Sequence, residues 1–407
     1  MRKIILFLLL FISWQSYSQK ITDTIVSQKL KEDREFTVSL PESYSKSKSK
    51  KYPILFLLDG DYLLDPFQGA LNYGAYWDDL PEVIIVGITQ NKKYERYSDC
   101  TFDPETGLPE GKGENFFEFI GQELLPYIEK TYRIAPFKII AGHDVTAGFL
   151  NFYLYKDQPI FNAYISLSPE LPTRMEEIIP QRLSALNQSI SYYQATADGD
   201  LKTTKERIIQ LDSDAATIKK PNLNYRFDTF KGTSHYSLVL HAIPNALYQF
   251  FGVYQPISVS EFNEKIAILP SGYVKYLENK YEIIENSLAI KMPIRFNDFK
   301  AIEAAILKNK AYNELDALSK LAQKNYPKSM LADYELGLMF EKNGDYRKAV
   351  KQFQIAYQKE EIGGLTKDMM LDKMDDLKKV LTKSSKEIKT ESPSKESPEE
   401  TIQEKKP

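Results

Sequence analysis

Short apolar runs recur over the first two thirds of the chain, and each ends at turn residues. The clearest of these runs are YPILFLL (52–58), VIIVGI (83–88), FKIIAG (137–142), NAYISL (162–167) and ISYYQATA (190–197). Continuous apolar runs of this length are typical of strands in a parallel sheet that is covered on both faces. The alternating segment 35–40 and the segment 223–230 predict two further strands.

Segments with helical spacing separate these strands. Residues 114–132, 147–156 and 238–251 place apolar residues on one helical face, and Pro126 requires the first of these helices to bend or restart. Because strand and helix alternate, the sequence predicts the α/β class with a mostly parallel sheet.

The character of the chain changes after residue 255, where Ala, Leu, Glu and Lys dominate helix-like segments. The stretch 332–358 fits a tetratricopeptide repeat, although Glu361 stands where that repeat ends in proline. The positions that fit its signature are Leu336, Gly337, Phe340, Gly344, Tyr346, Ala349, Phe353 and Ala356. Residues 300–327 resemble a degenerate second repeat. Fewer than three repeats seldom fold alone, so we expect this pair to pack on further structure.

The pattern divides the chain into five parts. Residues 1–18 combine Arg2 and Lys3 with a short apolar run, which predicts a secretory signal peptide and a periplasmic or extracellular protein. We expect an α/β domain at 19–255, a helical connector at 256–298 and a tetratricopeptide-like helical domain at 299–383. The segment 384–407 is rich in Lys, Glu, Ser and Pro and predicts a disordered tail.

Composition narrows the classes of function. The formal net charge is −3, from 53 basic and 56 acidic residues, which gives no electrostatic case for nucleic acid or an anionic membrane. Beyond the N-terminus no stretch is apolar enough to span a membrane. Cys100 is the single cysteine and no histidine pair has ligand spacing, so the sequence predicts neither a disulfide, a metal site nor a cofactor.

The stretch IIAGHDVTAGFL (139–150) carries the main candidate chemistry. An apolar strand ends at Gly142, and a helical segment follows, as in the G-x-S-x-G turn that presents the serine nucleophile of hydrolases. The central residue here is Asp144, and Thr146 occupies the place of the second glycine.

Together with this turn, five segments resemble the esterase family of α/β hydrolases that includes esterase-D-like and enterochelin-esterase-like enzymes. Their order and spacing match from about Arg34 to about Phe251. The segments are VSLPESY, KKYPILFLLDGDYLL, VIIVGI with RYSDCTFDP, GENFFEFIGQELLPYIEKTYRIAPFKIIAGHD and FNAYISLSPEL. The resemblance implies an α/β-hydrolase fold and a small ester substrate.

The resemblance also implies a triad of serine, acid and histidine in that chain order. The histidine corresponds to His235 in GTSHYS, whereas His241 falls within a helical pattern. The acid corresponds to the turn ATADGD, in which Asp198 and Asp200 are alternatives. The backbone amides of Val145 and of Asp61 or Tyr62 correspond to the oxyanion hole.

An aspartate at the nucleophile position changes the chemistry. Asp144 has no proton to give, and a carboxylate on each side of His235 favours the imidazolium, which is a poor general base. The first interpretation is therefore that serine-esterase activity is lost or altered.

Three alternatives remain. Asp144 could itself attack, as in haloalkane dehalogenases and epoxide hydrolases, although Val145 replaces their usual Trp and residues 169–189 are too few for a large cap. The protein could instead be an inactive binding scaffold whose tetratricopeptide-like helices hold a protein or peptide partner. Finally, another serine could substitute for the missing nucleophile, the candidates being Ser166, Ser168 and Ser234.

Overall fold

The structure is a computed structural model, and it describes residues 19–390 of the 407. The signal peptide predicted at 1–18 and residues 391–407 of the predicted tail lie outside the described residues. The described chain forms two units. The first comprises the residues up to 255 together with 282–292, and the second comprises 256–281 and the residues from 293 onward.

The first unit is built on one mixed sheet of eight strands in the order β1-β2-β4-β3-β5-β6-β7-β8. The strands from β3 to β8 are parallel to one another, and β2 pairs antiparallel with both β1 and β4. Their bounds are β1 Gln19–Ser27, β2 Glu32–Leu40, β3 Tyr52–Leu57, β4 Ile84–Ile88, β5 Ile134–His143, β6 Ala163–Leu167, β7 Ile190–Ala197 and β8 Leu223–Phe230. The α/β class and the mostly parallel sheet are confirmed.

Helices cover this sheet, and every residue of β3, β4 and β6 is buried. This is why those strands read as unbroken apolar runs rather than alternating ones. The helices are α1 Ser43–Lys46, α2 Gly60–Tyr76, α3 Glu95–Ser98, α4 Lys112–Glu118, α5 Leu125–Thr131, α6 Val145–Phe149, α7 Met175–Ala185, α8 Lys202–Ala215 and α9 Leu238–Phe250. Turns of 3₁₀ helix follow at Leu150–Tyr155 and Gly252–Tyr254.

The helical segment around Pro126 restarts, as the sequence requires. Between α4 and α5 the chain widens into a π-helical stretch at Phe119–Leu124, and Pro126 lies in the first turn of α5. Proline is tolerated there because the amide it lacks would have no partner within the helix. Phe116, Phe119 and Ile120 remain fully buried in the core beneath the sheet.

The second unit contains helices and no strand among the residues described for it. Their bounds are α10 Val259–Glu261, a π-helical turn at Phe262–Ile266, α11 Tyr273–Leu288, α12 Phe296–Lys308, α13 Glu314–Asn325, α14 Leu331–Lys342, α15 Tyr346–Tyr357 and α16 Lys367–Thr390. Of α11, only residues 273–281 belong to this unit, and residues 282–288 belong to the first. α16 therefore ends inside the segment 384–407 that the sequence predicts to be disordered. Within the described part of the chain, no helix is both long enough and apolar enough to cross a bilayer.

Helices α14 and α15 approach closely at the positions that the repeat pattern singles out. A methyl group on Gly337 would lie 2.6 Å from the ring of Phe353, which is fully buried. Glycine is therefore required at this crossing for a steric reason.

Candidate active site

Asp144 occupies a strained turn between β5 and α6. Its backbone has φ 62° and ψ −121°, a conformation that non-glycine residues rarely adopt and that clusters at functional sites. The turn is also tight, since a methyl group on Gly142 would lie 2.8 Å from the Thr146 carbonyl carbon. The Thr146 hydroxyl accepts a hydrogen bond from the His143 amide at 3.0 Å, which ties the two sides of the turn together.

The Asp144 carboxylate lies between the guanidinium of Arg96 and the ring of His235. Its Oδ2 accepts a hydrogen bond from Arg96 Nη1 at 3.1 Å, and its Oδ1 lies 4.0 Å from His235 Nε2. A quarter of the Asp144 side chain remains exposed. This turn at residues 142–146, called the elbow below, thus presents a carboxylate with two neighbouring partners instead of a hydroxyl group.

Asp200 supports the other nitrogen of His235. The His235 Nδ1 lies 2.8 Å from Asp200 Oδ1, and Asp200 Oδ2 accepts from Ser168, from Thr196 and from the Ala197 amide. Burial would raise the pKa of Asp200, but the hydrogen bonds from His235 and these three donors outweigh it and lower the pKa to about 2. The hydrogen bond to Asp200 raises the pKa of His235 against the effect of burial, and the Asp144 charge raises it further.

The two acidic residues of the turn ATADGD, Asp198 and Asp200, differ in exposure and in hydrogen-bond partners. Asp198 is exposed, accepts from the Gly232 amide at 2.9 Å and pairs with Lys205 at 3.0 Å. Because only Asp200 hydrogen-bonds the His235 ring, the structure brings together Asp144, His235 and Asp200 and leaves Asp198 outside. His241 is exposed and packs on Phe230, with ring centroids 5.9 Å apart.

The three alternative serines have local partners. Ser166 is buried and donates to the Ala147 carbonyl at 3.0 Å, Ser168 donates to Asp200 at 2.8 Å, and Ser234 lies 3.1 Å from the hydroxyl of Ser237. None of these contacts directs a serine hydroxyl toward His235 Nε2, so the geometry does not favour a substitute nucleophile.

The residues predicted for the oxyanion hole lie on both sides of the elbow. Val145 begins α6, where backbone amides have no partner within the helix. The Tyr62 amide donates to the Asp59 carbonyl at 3.1 Å, and the Asp61 side chain accepts from the Gln90 amide at 2.9 Å. The Tyr62 amide is therefore already used in the first turn of α2, and the Val145 amide is the candidate nearest Asp144 along the chain.

Arg96 is a site residue that the sequence reasoning did not identify. It lies in the quoted segment RYSDCTFDP, yet its role depends on contacts with distant parts of the chain. It donates to Asp59 Oδ1 at 2.6 Å, to the His143 carbonyl at 2.7 Å and to Asp144. Asp59 is fully buried, and burial raises its pKa although Arg96 opposes the shift. Arg96 thus joins the end of β3 to the elbow.

His143 is a second residue that was not assigned a role. Its Nε2 lies 3.1 Å from the His235 carbonyl oxygen, and its Nδ1 lies 3.1 Å from the Tyr62 hydroxyl. Burial, together with the charge of His235, lowers the pKa of His143 to about 4, so its ring is neutral near pH 7. Since a carbonyl oxygen only accepts, Nε2 carries the proton and fixes the loop that bears His235.

A cleft of about 690 Å³ opens over these residues. It is lined by Phe102, Asp144, Glu170, Leu171, Thr173, Gly199, Leu201, Thr203, Thr204, Arg207, His235 and Tyr236. A recess of about 250 Å³ shares Phe102 and Glu170 with the cleft and is otherwise mostly apolar. The site therefore has the volume and the mixed lining of a small-molecule site.

Comparison with known proteins adds to this geometry. Residues 27–207 match the family model described as "Putative esterase". The chain is similar to an uncharacterised protein from Capnocytophaga ochracea, with 31% identity over 88% of this chain and 99% of the other, and a TM-score of 0.79. It is also similar in fold to an IroE-like serine hydrolase from Shewanella oneidensis, with 20% identity over 75% of this chain and 99% of the other, and a TM-score of 0.57. No curated protein matches the chain.

Proposed function

Residues 27–207 match the esterase family model, and we propose that the chain is an exported member of that family in which serine-ester hydrolysis at the elbow is lost. The cleft is retained as a binding site for a small ligand. Export rests on the predicted signal peptide, and N-terminal sequencing of the protein recovered outside the cytoplasm should begin at Gln19.

One observation carries the proposal: the elbow residue is an aspartate whose carboxylate is hydrogen-bonded by Arg96 at 3.1 Å. Acyl transfer at this position requires a hydroxyl whose proton the histidine removes as the oxygen attacks. Asp144 has no such proton, and Arg96 stabilises its charge. His235, which has a raised pKa because of Asp200 and Asp144, is poorly suited to act as a base.

The test compares the wild-type protein with Asp144→Ser on short aryl acetates and butyrates. We expect no turnover above background for the wild type and turnover at least about 100-fold higher for Asp144→Ser, because a serine there meets a histidine that Asp200 already supports. Asp144→Asn is the matched control, since it removes the charge without adding a hydroxyl. Fast wild-type turnover that Asp144→Asn abolishes would contradict the proposal.

A second candidate function uses Asp144 as the nucleophile. The supporting observation is that Asp144 Oδ1 faces His235 Nε2 at 4.0 Å and that Asp200 holds the opposite ring nitrogen. In this mechanism a carboxylate oxygen attacks a substrate carbon and displaces a halide or opens an epoxide. His235 then removes a proton from water, which attacks the ester and releases the product. Incubation of His235→Gln with an alkyl halide should then leave the chain heavier by one alkyl group. Incubation with an epoxide should leave it heavier by the whole epoxide, as a hydroxyalkyl ester whose alkoxide has taken a proton from water. An unchanged mass with both probes eliminates this candidate.

For the helices of residues 299–383 we propose a tetratricopeptide-like pair that holds a protein or peptide partner. The support is the contact that Gly337 makes with Phe353, because small residues at such crossings are what this repeat requires. Gly337→Ala should lower the free energy of unfolding by about 1–3 kcal/mol, since the added methyl group overlaps a buried ring. Gly364→Ala is the control, because an added methyl group there meets no atom within 4 Å. Equal melting temperatures for the two variants would remove this support.

A further inference from the structure

The charged groups around the cleft are paired almost completely. Asp144 pairs with Arg96 at 3.1 Å, and Asp200 pairs with His235 at 2.8 Å. The guanidinium of Arg207 donates to Glu176 at 2.9 Å and to the carbonyl oxygens of Leu171 and Pro172. Among the described residues that line the cleft, the guanidinium of Arg207 and the ring of His235 therefore each already have a protein carboxylate as partner.

Glu170 is the exception. It follows β6, and its amide donates to the Asp144 carbonyl at 3.1 Å, which fixes its backbone beside the elbow. A methyl group on Gly148 would lie 1.9 Å from the Glu170 carbonyl oxygen, so this approach of α6 is close. Within residues 19–390, the Glu170 carboxylate makes no hydrogen bond and no ion pair. Although Glu170 is an exposed residue, loss of water around its carboxylate and then the charge of Asp144 raise its pKa, and the charges of Arg96 and Arg207 oppose this rise.

Aromatic side chains line the same cleft and its recess. Phe102 is half-buried and lines both the cleft and the adjoining recess. Tyr236 also lines the cleft and is 79% exposed, and Tyr97, at the recess, is 66% exposed. The faces of such rings attract organic cations, with a strength that increases when the cation loses water. One carboxylate without a partner and several aromatic rings are the two elements from which proteins build ammonium sites.

We propose that the cleft binds an organic cation, with the ammonium group of the ligand paired with Glu170 and its apolar body lying against Phe102 and in the recess. This inference rests on the proposed retention of the cleft as a ligand site. It adds the chemical class of that ligand. The positive charge of the ligand pairs with Glu170, whereas an anionic ligand would add a third negative charge beside Asp144 and Glu170.

The test uses three probes that share one apolar body: 4-phenylbutylammonium, 4-phenylbutanol and 4-phenylbutyrate. Calorimetric titration of the mature full chain near pH 7 should give binding of the ammonium probe about tenfold tighter than that of the alcohol, and weakest binding of the carboxylate. Glu170→Gln should make the affinities of the ammonium and the alcohol equal. Glu177→Gln is the matched control, because Glu177 is exposed, pairs with Arg174 and does not line the cleft, so it should leave the ratio unchanged.

Equal affinities of the ammonium and the alcohol in the wild type, or a ratio that Glu170→Gln leaves intact, would overturn the inference. Glu170→Asp keeps the charge and should keep the preference, which separates a loss of charge from a loss of folding. Because these are binding measurements on a protein with Asp144 intact, they do not depend on ester turnover. A wild-type esterase with the ammonium preference would refute the proposed loss of activity alone, and an inactive protein without the preference would refute this inference alone.

Discussion

Two fully buried carboxylates, one in each unit, have opposite electrostatic properties. In the α/β unit, the side chain of Asp200 is inaccessible, yet hydrogen bonds lower its pKa to about 2. In the helical unit, Glu335 on α14 is also inaccessible, but neither of its carboxylate oxygens has a hydrogen-bond partner within the described residues. Burial and then the neighbouring Glu303 raise the pKa of Glu335 well above its usual value.

The difference shows that hydrogen-bond donors affect the pKa of a buried carboxyl group more than burial does. Asp200 has four donors arranged around its two oxygens, including the His235 ring. Lys300, whose charge opposes the rise in the pKa of Glu335, already pairs with Glu303. Hydrogen-bond donors thus lower the pKa of Asp200, as support for a histidine requires, whereas burial without such donors raises the pKa of Glu335.

The largest expected effect tests the role of Asp200. In the Asp144→Ser background, replacing Asp200 with Asn should reduce kcat/KM on aryl esters by about 10³- to 10⁴-fold, because the histidine loses the group that fixes its tautomer and stabilises the imidazolium. Steady-state kinetics of the double variant measures this directly.

Asp198→Asn in the same background is the matched control. Asp198 lies two residues away in the same turn but pairs with Lys205 at 3.0 Å, so kcat/KM should change by less than about threefold. Equal losses from the two substitutions would show that the turn acts as a unit and that Asp200 has no special role.

The second prediction concerns Glu335→Gln. A carboxyl whose pKa is raised in the folded state contributes stability that is complete below its unfolded pKa of 4.5 and is lost as pH rises through the folded value. Near pH 7 the substitution should therefore raise the free energy of unfolding by about 1–3 kcal/mol, and near pH 4 it should change little. Chemical denaturation of both proteins at the two pH values provides the comparison.

Glu341→Gln in the same helix supplies the control of opposite sign. Glu341 pairs with Lys373 at 2.8 Å, so its replacement should slightly lower the stability near pH 7. If Glu335→Gln instead destabilises the helical unit at both pH values, Glu335 has a partner in solution that keeps it charged, and the contrast with Asp200 fails.

Local pattern accounts for most of what the sequence could predict. The buried strands were visible as apolar runs, and His235 was identifiable because it follows the last strand of a chain that resembles esterases. β1 was not predicted, because QKITDTIVS has only three apolar residues, Ile21, Ile25 and Val26, and Asp23 interrupts their alternation. An edge strand exposes one face and carries a weaker signal.

The features that the sequence could not predict depend on contacts between residues that are distant along the chain. Asp198 and Asp200 look equivalent in ATADGD, and only the fold of the turn directs one of them to His235. The roles of Arg96, Asp59 and His143 require β3, α3 and β5 to meet, as in the hydrogen bond of 2.6 Å between Arg96 and Asp59. A charged residue such as Glu335 within a helical pattern also gave no sign of being buried.

The smallest expected effect applies the same comparison, between burial and charged partners as causes of a pKa shift, to two histidines of the active site. The rings of His143 and His235 have centroids 4.4 Å apart. His143 should remain neutral until about pH 4, because burial and the charge of His235 lower its pKa. His235 should become protonated at a higher pH than an unperturbed histidine, because Asp200 and then Asp144 raise its pKa. Nitrogen-15 NMR titration of the imidazoles in the wild type can measure both.

Two variants, Asp144→Asn and Asp200→Asn, rank the causes of the pKa shifts of His235 and His143 by size. The pKa of His235 should fall in Asp144→Asn and fall further in Asp200→Asn, because the hydrogen bond to Asp200 contributes more than the charge of Asp144. The pKa of His143 should stay low in both variants, since burial is its largest cause and neither substitution exposes the ring. A His235 pKa that does not respond to Asp144→Asn would mean that Arg96 alone neutralises the elbow. In that case the electrostatic case against His235 as a base would rest on Asp200, and the missing hydroxyl group would be the remaining reason for lost turnover.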